Sequence, residues 1–324
     1  MLARALFAAA SPSGAGGRLS ILIFHRVLAR PDPLFPGEVD AHRFDGICGW
    51  LRRWFNVMPL DLAIDALQRG TLPTRPLAIT FDDGYRDNHD VALPILERHG
   101  LTATFFVAAG FLNGGRMWND TVIESIRGAA ARTLDLSDLG LGTHALSDHS
   151  SMRRAIDSVL PRVKYLDPAS RRAAVDAICE RAVGGCLPDD LMMSSAQVRA
   201  LGRAGMGIGA HTVTHPILTR LSDAELCHEV IEGRKVLERI VEAPVQLFAY
   251  PNGKPGVDYD SRAVDAVRRA GYAAALSTAW GAAKQGDDLF QLPRFTPWDR
   301  SSIAFAMRML GNFSRNPETV ALSA

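Results

Sequence analysis

Short apolar runs alternate with stretches of helical spacing along most of this 324-residue chain. The first run, 20–27 (Ser-Ile-Leu-Ile-Phe-His-Arg-Val), reads as a buried strand that ends in a histidine. A proline-rich loop over 31–37 leads to a predicted helix over 41–55, with Phe44, Ile47, Cys48, Trp50 and Leu51 on or near one face. Leu60, Leu62, Ala63 and Leu67 predict a second helix over 59–68. A strand over 76–79 follows, then a helix over 91–99 stopped by Gly100. Further strand-like runs occupy 102–107, 206–210, 245–250 and 272–276, separated by helical patterns that include 224–241 and 261–270. This alternation predicts a mainly parallel sheet with helices outside it. Six or more such units in this length fit a distorted (β/α) barrel.

Residues from about 116 to 195 break the rhythm. The part from 150 to 183 has helical spacing and is rich in arginine (Arg153, Arg154, Arg162, Arg171, Arg172). It reads as a helical insertion, either solvated or lying as a lid over a groove. The first ten residues carry one arginine and an apolar run too short for a secretory signal, and 11–17 looks like a flexible leader. The expected organisation is a leader over 1–18 and one domain over 19–324. No run reaches the roughly 18 apolar residues of a membrane span.

Two polar clusters interrupt the apolar runs at strand ends. Thr80-Phe81-Asp82-Asp83-Gly84-Tyr85 closes the strand at 76–79, and His211-Thr212-Val213-Thr214-His215 follows the run at 206–210. Adjacent acids at the end of a buried strand sit at the mouth of a sheet, where α/β proteins keep their chemistry. Two imidazoles four residues apart can face one point, and a carboxylate can complete a facial set with open positions. One metal and one spare acid point to metal-assisted hydrolysis.

Composition narrows the partners. With 36 basic and 35 acidic residues the net charge is +1, and there is no basic stripe for nucleic acid. The four cysteines, Cys48, Cys179, Cys186 and Cys227, have neither metal-ligand nor disulfide-framework spacing. They read as reduced, mostly buried thiols, which favours a cytoplasmic setting.

Taken in this order, the two clusters resemble the polysaccharide deacetylases of the NodB homology type, carbohydrate esterase family 4. Thr-Phe-Asp-Asp-Gly at 80–84 is similar to that family's first motif, and His211 with His215 to its second. The resemblance covers about residues 19–296, with 116–195 as the insertion. It implies a NodB-type distorted (β/α) barrel, Asp83, His211 and His215 as ligands of one divalent metal, and Asp82 as general base. Zinc is the default metal, with iron, cobalt or nickel compatible with the same donors. The third motif, usually Arg-x-Pro-Tyr-Gly, stands here as Ala249-Tyr250-Pro251-Asn252-Gly253, so Asn252 and Tyr250 become candidates for oxyanion and orienting roles. The motif arginine is missing, and Arg294 is the candidate to orient Asp82 in its place. The family's closing Leu-x-His has no counterpart near the C-terminus, whereas the apolar run Ile21-Leu22-Ile23-Phe24-His25 has that form, with Ile23 in the leucine position. This order is similar to that of circularly permuted poly-N-acetylglucosamine deacetylases and makes His25 the candidate general acid, against a buried structural histidine. Tyr85 to Asn88 are expected to shape the site wall. Trp118-Asn119-Asp120 either helps to hold a sugar or caps a helix.

The implied activity is hydrolysis of N-acetyl groups on an amino sugar, releasing acetate. The substrate is a polysaccharide or a lipid-linked or nucleotide-linked precursor. Two alternatives stay open: an amidase of the same fold acting on a small non-sugar amide or ureide, and a catalytically silent glycan-binding module.

Overall fold

The computed structural model describes residues 2–182 and 186–322. Ten strands occur among them: β1 (Arg18–Phe24), β2 (Asn56–Val57), β3 (Pro76–Phe81), β4 (Thr104–Val107), β5 (Thr133–Leu136), β6 (Gly142–Ala145), β7 (Gly207–Ala210), β8 (Leu247–Ala249), β9 (Ala274–Leu276) and β10 (Ala283–Lys284). The helices are α1 (Leu2–Ala10), α2 (Ala41–Trp54), α3 (Leu60–Arg69), α4 (Leu93–His99), α5 (Trp118–Arg127), α6 (His149–Lys164), α7 (Pro168–Ala182), α8 (Ser195–Arg203), α9 (Asp223–Val241), α10 (Ser261–Arg269) and α11 (Ser302–Asn312).

Six strands pair in parallel in the order β1-β3-β4-β7-β8-β9, with the short β2 beside the start of β3 and β10 antiparallel to the start of β1. Every residue of β3 is buried, as expected for a strand covered on both faces. The sheet curls, and the gap between its ends is spanned by residues 292–295. Leu292 bridges Leu276 of β9, and Phe295 bridges Leu22 of β1. This closes the distorted barrel that the sequence predicts.

Strand alternation sorts the apolar side chains into two cores. Leu19, Ile21, Ala78, Phe106, Ala249, Leu276 and Leu292 pack together with α3 residues in one. Leu22, Phe24, Phe81 and Phe105 point the other way, against α2 and the outer helices. The Phe24, Phe81 and Phe105 rings stack at 5.3 and 4.8 Å. Register then sets the rim. Phe24 pairs with Phe81, and Val107 with Ala210. The residues that follow, His25, Asp82 and His211, therefore leave the sheet at the same edge.

Four expectations are corrected. Residues 2–10 are helical rather than leader-like, because Phe7 is fully buried 4.5 Å from Phe55 and 6.0 Å from Trp54. The insertion is not all helical, since β5 and β6 form an antiparallel pair between α5 and α6. Its predicted long helix is broken into α6 and α7 just before Pro168, where the residue preceding proline disfavours helical backbone. Val183, the end of that prediction, lies outside the described residues. The insertion carries its own core, with Val122, Ile126, Leu136, Ile156, Val159 and Ile178 fully or almost fully buried. Of the four unpaired thiols only Cys48 is buried, while Cys186 and Cys227 are exposed. No helix among the described residues is long and apolar enough to cross a membrane.

Candidate active site

The two acids at the end of β3 face different partners. Asp82 is 2 % exposed and receives both Arg294 Nη atoms at 2.7 Å, one on each carboxylate oxygen. Such a bidentate pair fixes the plane of the carboxylate. Arg294 is itself wholly buried, on the segment that closes the barrel, and its Nε donates to the Ser277 carbonyl at 2.9 Å. Burial pushes the Asp82 carboxyl up, but the Arg294 guanidinium and the neighbouring imidazoles together outweigh it and hold the group below its usual range.

Asp83 turns toward the histidines. Its Oδ1 lies 3.5 Å from His211 Nε2 and 3.3 Å from His215 Nε2. One donor atom from each of the three residues falls within 4.8 Å of the others. Burial opposes the Asp83 charge, yet the two imidazoles keep its carboxyl well below the usual range. Burial pushes the His215 imidazole down to about 4, leaving it neutral, the form that ligates metals. His211 goes the other way: burial lowers it, but Asp82 and Asp83 outweigh that and raise it. His211 Nδ1 lies 2.7 Å from the Ala249 carbonyl, which must accept the ring proton there and leaves Nε2 free to face Asp83. A carboxylate and two such nitrogens fit a divalent cation by donor chemistry alone.

Backbone strain concentrates here. Asp83, Thr212, His215 and Asn252 all have positive φ (77°, 65°, 52° and 59°), a costly region for residues with a Cβ. The histidine loop is held from α9. Glu229 accepts the Val213 and Thr214 backbone N–H groups at 2.8 and 2.9 Å, and Thr212 Oγ1 accepts from His215 N at 3.0 Å. One turn along α9, a Cβ on Gly233 would meet the Thr212 carbonyl carbon and oxygen at 2.9 Å. Only glycine lets the helix approach this closely. Glu229 has no signal in a helix full of charged residues, whereas an isolated glycine inside a helical pattern marks close packing.

A cleft of about 510 Å³ opens over the cluster. His25, Asp82, Asp83, His211, His215 and Asn252 line it, and the opposite wall includes Trp118, Asn119, Pro161, Lys164 and Tyr165 from the insertion. His25 is exposed, not a buried structural histidine. Its backbone carbonyl accepts from Asn88 Nδ2 at 2.8 Å, and Asp87 accepts from Val27 N at 3.0 Å and Arg26 Nε at 2.8 Å. The Tyr85–Asn88 stretch thus clamps the His25 loop. Tyr85 donates to buried Asp120 at 3.0 Å. Asp120 lies inside α5 and Met117 is the residue before its first turn, so neither Asn119 nor Asp120 caps the helix.

One candidate falls away from the cleft. Tyr250 is wholly buried, stacks on Tyr259 with ring centroids 4.0 Å apart, and donates its hydroxyl to the Phe290 carbonyl at 2.9 Å. Its side chain belongs to the core, because strand alternation points it away from the rim. Asn252 and Thr278 are the residues of that region that reach the cleft.

Comparison with known proteins agrees with this arrangement. The family model for polysaccharide deacetylase matches residues 69–275. The curated Bacillus subtilis (strain 168) protein YxkH is 19% identical over 280 residues, covering 86% of this chain and 70% of its own length. Among solved structures, IcaB from Ammonifex degensii superposes with a TM-score of 0.59 at 18% identity, over 93% of this chain and 97% of its own. The Streptococcus pyogenes deacetylase PplD, in complex with acetate, gives 0.58 at 18% identity, over 86% and 92%.

Proposed function

Since the chain belongs to the polysaccharide deacetylase family, we propose that it is a metal-dependent hydrolase that removes N-acetyl groups from an amino sugar in a glycan or glycan precursor. The observation that carries this reading is the division of the paired acids. Asp82 is locked to Arg294, while Asp83 joins His211 and His215 in one donor cluster. A pure binding module has no use for a carboxylate oriented beside a metal-type donor set.

Asp83, His211 and His215 would hold the divalent ion, with zinc the default for this donor set. Bound there, the ion supplies charge that polarises an acetamide carbonyl and lowers the pKa of water. The rest falls to the chain's own residues. Asp82 takes the proton of the attacking water, with Arg294 preventing the carboxylate from rotating. The Asn252 amide, which lines the same cleft, would donate to the developing oxyanion. His25 gives a proton to the leaving nitrogen as the C–N bond breaks, so acetate and a free amine result. The insertion wall, with Trp118 and Tyr165, presents aromatic surface for the sugar. Four unpaired cysteines support a cytoplasmic setting and hence a lipid-linked or nucleotide-linked precursor.

The test is acetate release from N-acetylglucosamine oligomers by the zinc-loaded protein, repeated after chelation and again after metal is restored. Release that disappears with chelator and returns with metal is the expected result. Full release in the presence of chelator would overturn the metal-dependent reading.

A further inference from the structure

A second cavity, of about 600 Å³, lies between the start of α7 and α9. Trp118 lines both this cavity and the metal cleft, and Thr214 in its wall directly precedes His215. Its charged lining is unusual. Arg116, Arg171 and Arg172 reach it, and among the described residues no carboxylate lies within 4.0 Å of any of the three guanidinium groups. The two glutamates in the wall are already engaged. Glu225 accepts from Ser222 at the start of α9, and Glu229 holds the histidine loop.

Arg171 is the informative residue. It is only 9% exposed, yet among the described residues its guanidinium makes one hydrogen bond, a 3.3 Å contact from Nη1 to the Lys164 carbonyl, and lies 5.5 Å from the Trp118 ring centroid. The acid nearest in sequence, Asp167, accepts the Ala169 and Ser170 backbone N–H groups instead. Arg171 also closes the first turn of α7, which starts at Pro168, and there the helix dipole disfavours cations. Burial lowers the Arg171 pKa, and the attraction of Asp167 only partly offsets it. Holding a guanidinium so deeply without a carboxylate is costly unless an outside anion completes the pair.

We infer that this cavity is an anion subsite that takes a phosphate or carboxylate group carried by the glycan, next to the acetamide cleft across Trp118. This rests on the deacetylase reading and narrows its substrate to an anionic glycan. A phosphate would come from a phosphate-linked precursor, and a carboxylate from a neighbouring uronate residue.

Three matched substrates test it with the metal-loaded full chain: a neutral N-acetylglucosamine oligomer, the same oligomer phosphorylated at its reducing end, and one with a glucuronate neighbour. One anionic substrate is expected to exceed the neutral one in kcat/KM by about tenfold, and which one identifies the source. That ratio should fall to about one in Arg172→Gln and in Arg116→Gln with Arg172→Gln, both of which spare buried Arg171. Equal kcat/KM for all three substrates in the unaltered chain, or a preference that survives the double substitution, would overturn the subsite. If no substrate releases acetate, the deacetylase reading fails and the subsite is judged separately. Calorimetric binding of inorganic pyrophosphate and of glucuronate is then compared between the chain and the double variant. At least one should bind more weakly in the variant, and equal binding of both would overturn the inference.

Discussion

The barrel rim and the inserted segment face each other across one cleft but are built differently. On the rim, Asp82, Asp83 and His211 are no more than 6% exposed, and each is fixed by an ion pair, a short contact or a hydrogen bond. Across the cleft, Tyr165 is 41% exposed and the insertion is anchored by a separate apolar core. The rim spends backbone strain and buried charge on holding a few atoms in place. The insertion offers aromatic and cationic surface, with Trp118, Lys164 and Tyr165 in the cleft wall. The proposed function accordingly assigns chemistry to the barrel and recognition to the insertion.

Four substitutions test this contrast. His215→Ala should have the largest effect, removing one of three donors, so that bound zinc and acetate release both fall by about 10³-fold or more. Metal content and turnover measured on the same preparation check it. Arg294→Met leaves Asp82 buried without its partner, which costs about 3–5 kcal/mol of stability. It should also slow turnover by about 10–100-fold. Urea denaturation should then show that adding Asp82→Asn recovers much of the stability and none of the activity. Gly233→Ala forces α9 away from Thr212 and should lower stability by about 1–3 kcal/mol. Zinc affinity should drop about tenfold with it, because the displaced loop carries both imidazoles. Tyr165→Ala, on the insertion wall, should do least: KM rises a fewfold while kcat and stability stay near their original values. A kcat collapse in Tyr165→Ala would place chemistry in the insertion and break the contrast.

The residues of the candidate site were easier to read from the sequence than their assembly. Asp82-Asp83 and His211…His215 were legible because each follows a short apolar strand and keeps a spacing that metal ligation requires. The alternation of strands and helices likewise revealed the parallel sheet. The closing segment was not legible: Leu292-Pro293-Arg294-Phe295 contains a proline and joins the sheet by single bridges at each side. Its arginine finds Asp82 across 212 residues, a pairing visible beforehand only as an empty motif position. α1 was misread because Leu2–Ala10 has the composition of a leader, and only the tertiary pocket around Phe7 makes it a docked helix. Tyr250 was misplaced for a simpler reason. Its neighbours in the motif turn at the rim, but strand parity sends its own ring outward to Tyr259.

The most direct measurement is acetate release by the zinc-loaded chain beside Asp82→Asn, with metal content verified in both. Because Asp82 lies outside the three-donor cluster, the variant should keep its zinc and lose turnover by about 10²–10⁴-fold. Near-normal release by a zinc-loaded Asp82→Asn protein would contradict the assignment of the base, and with it the account of how the two acids divide their work.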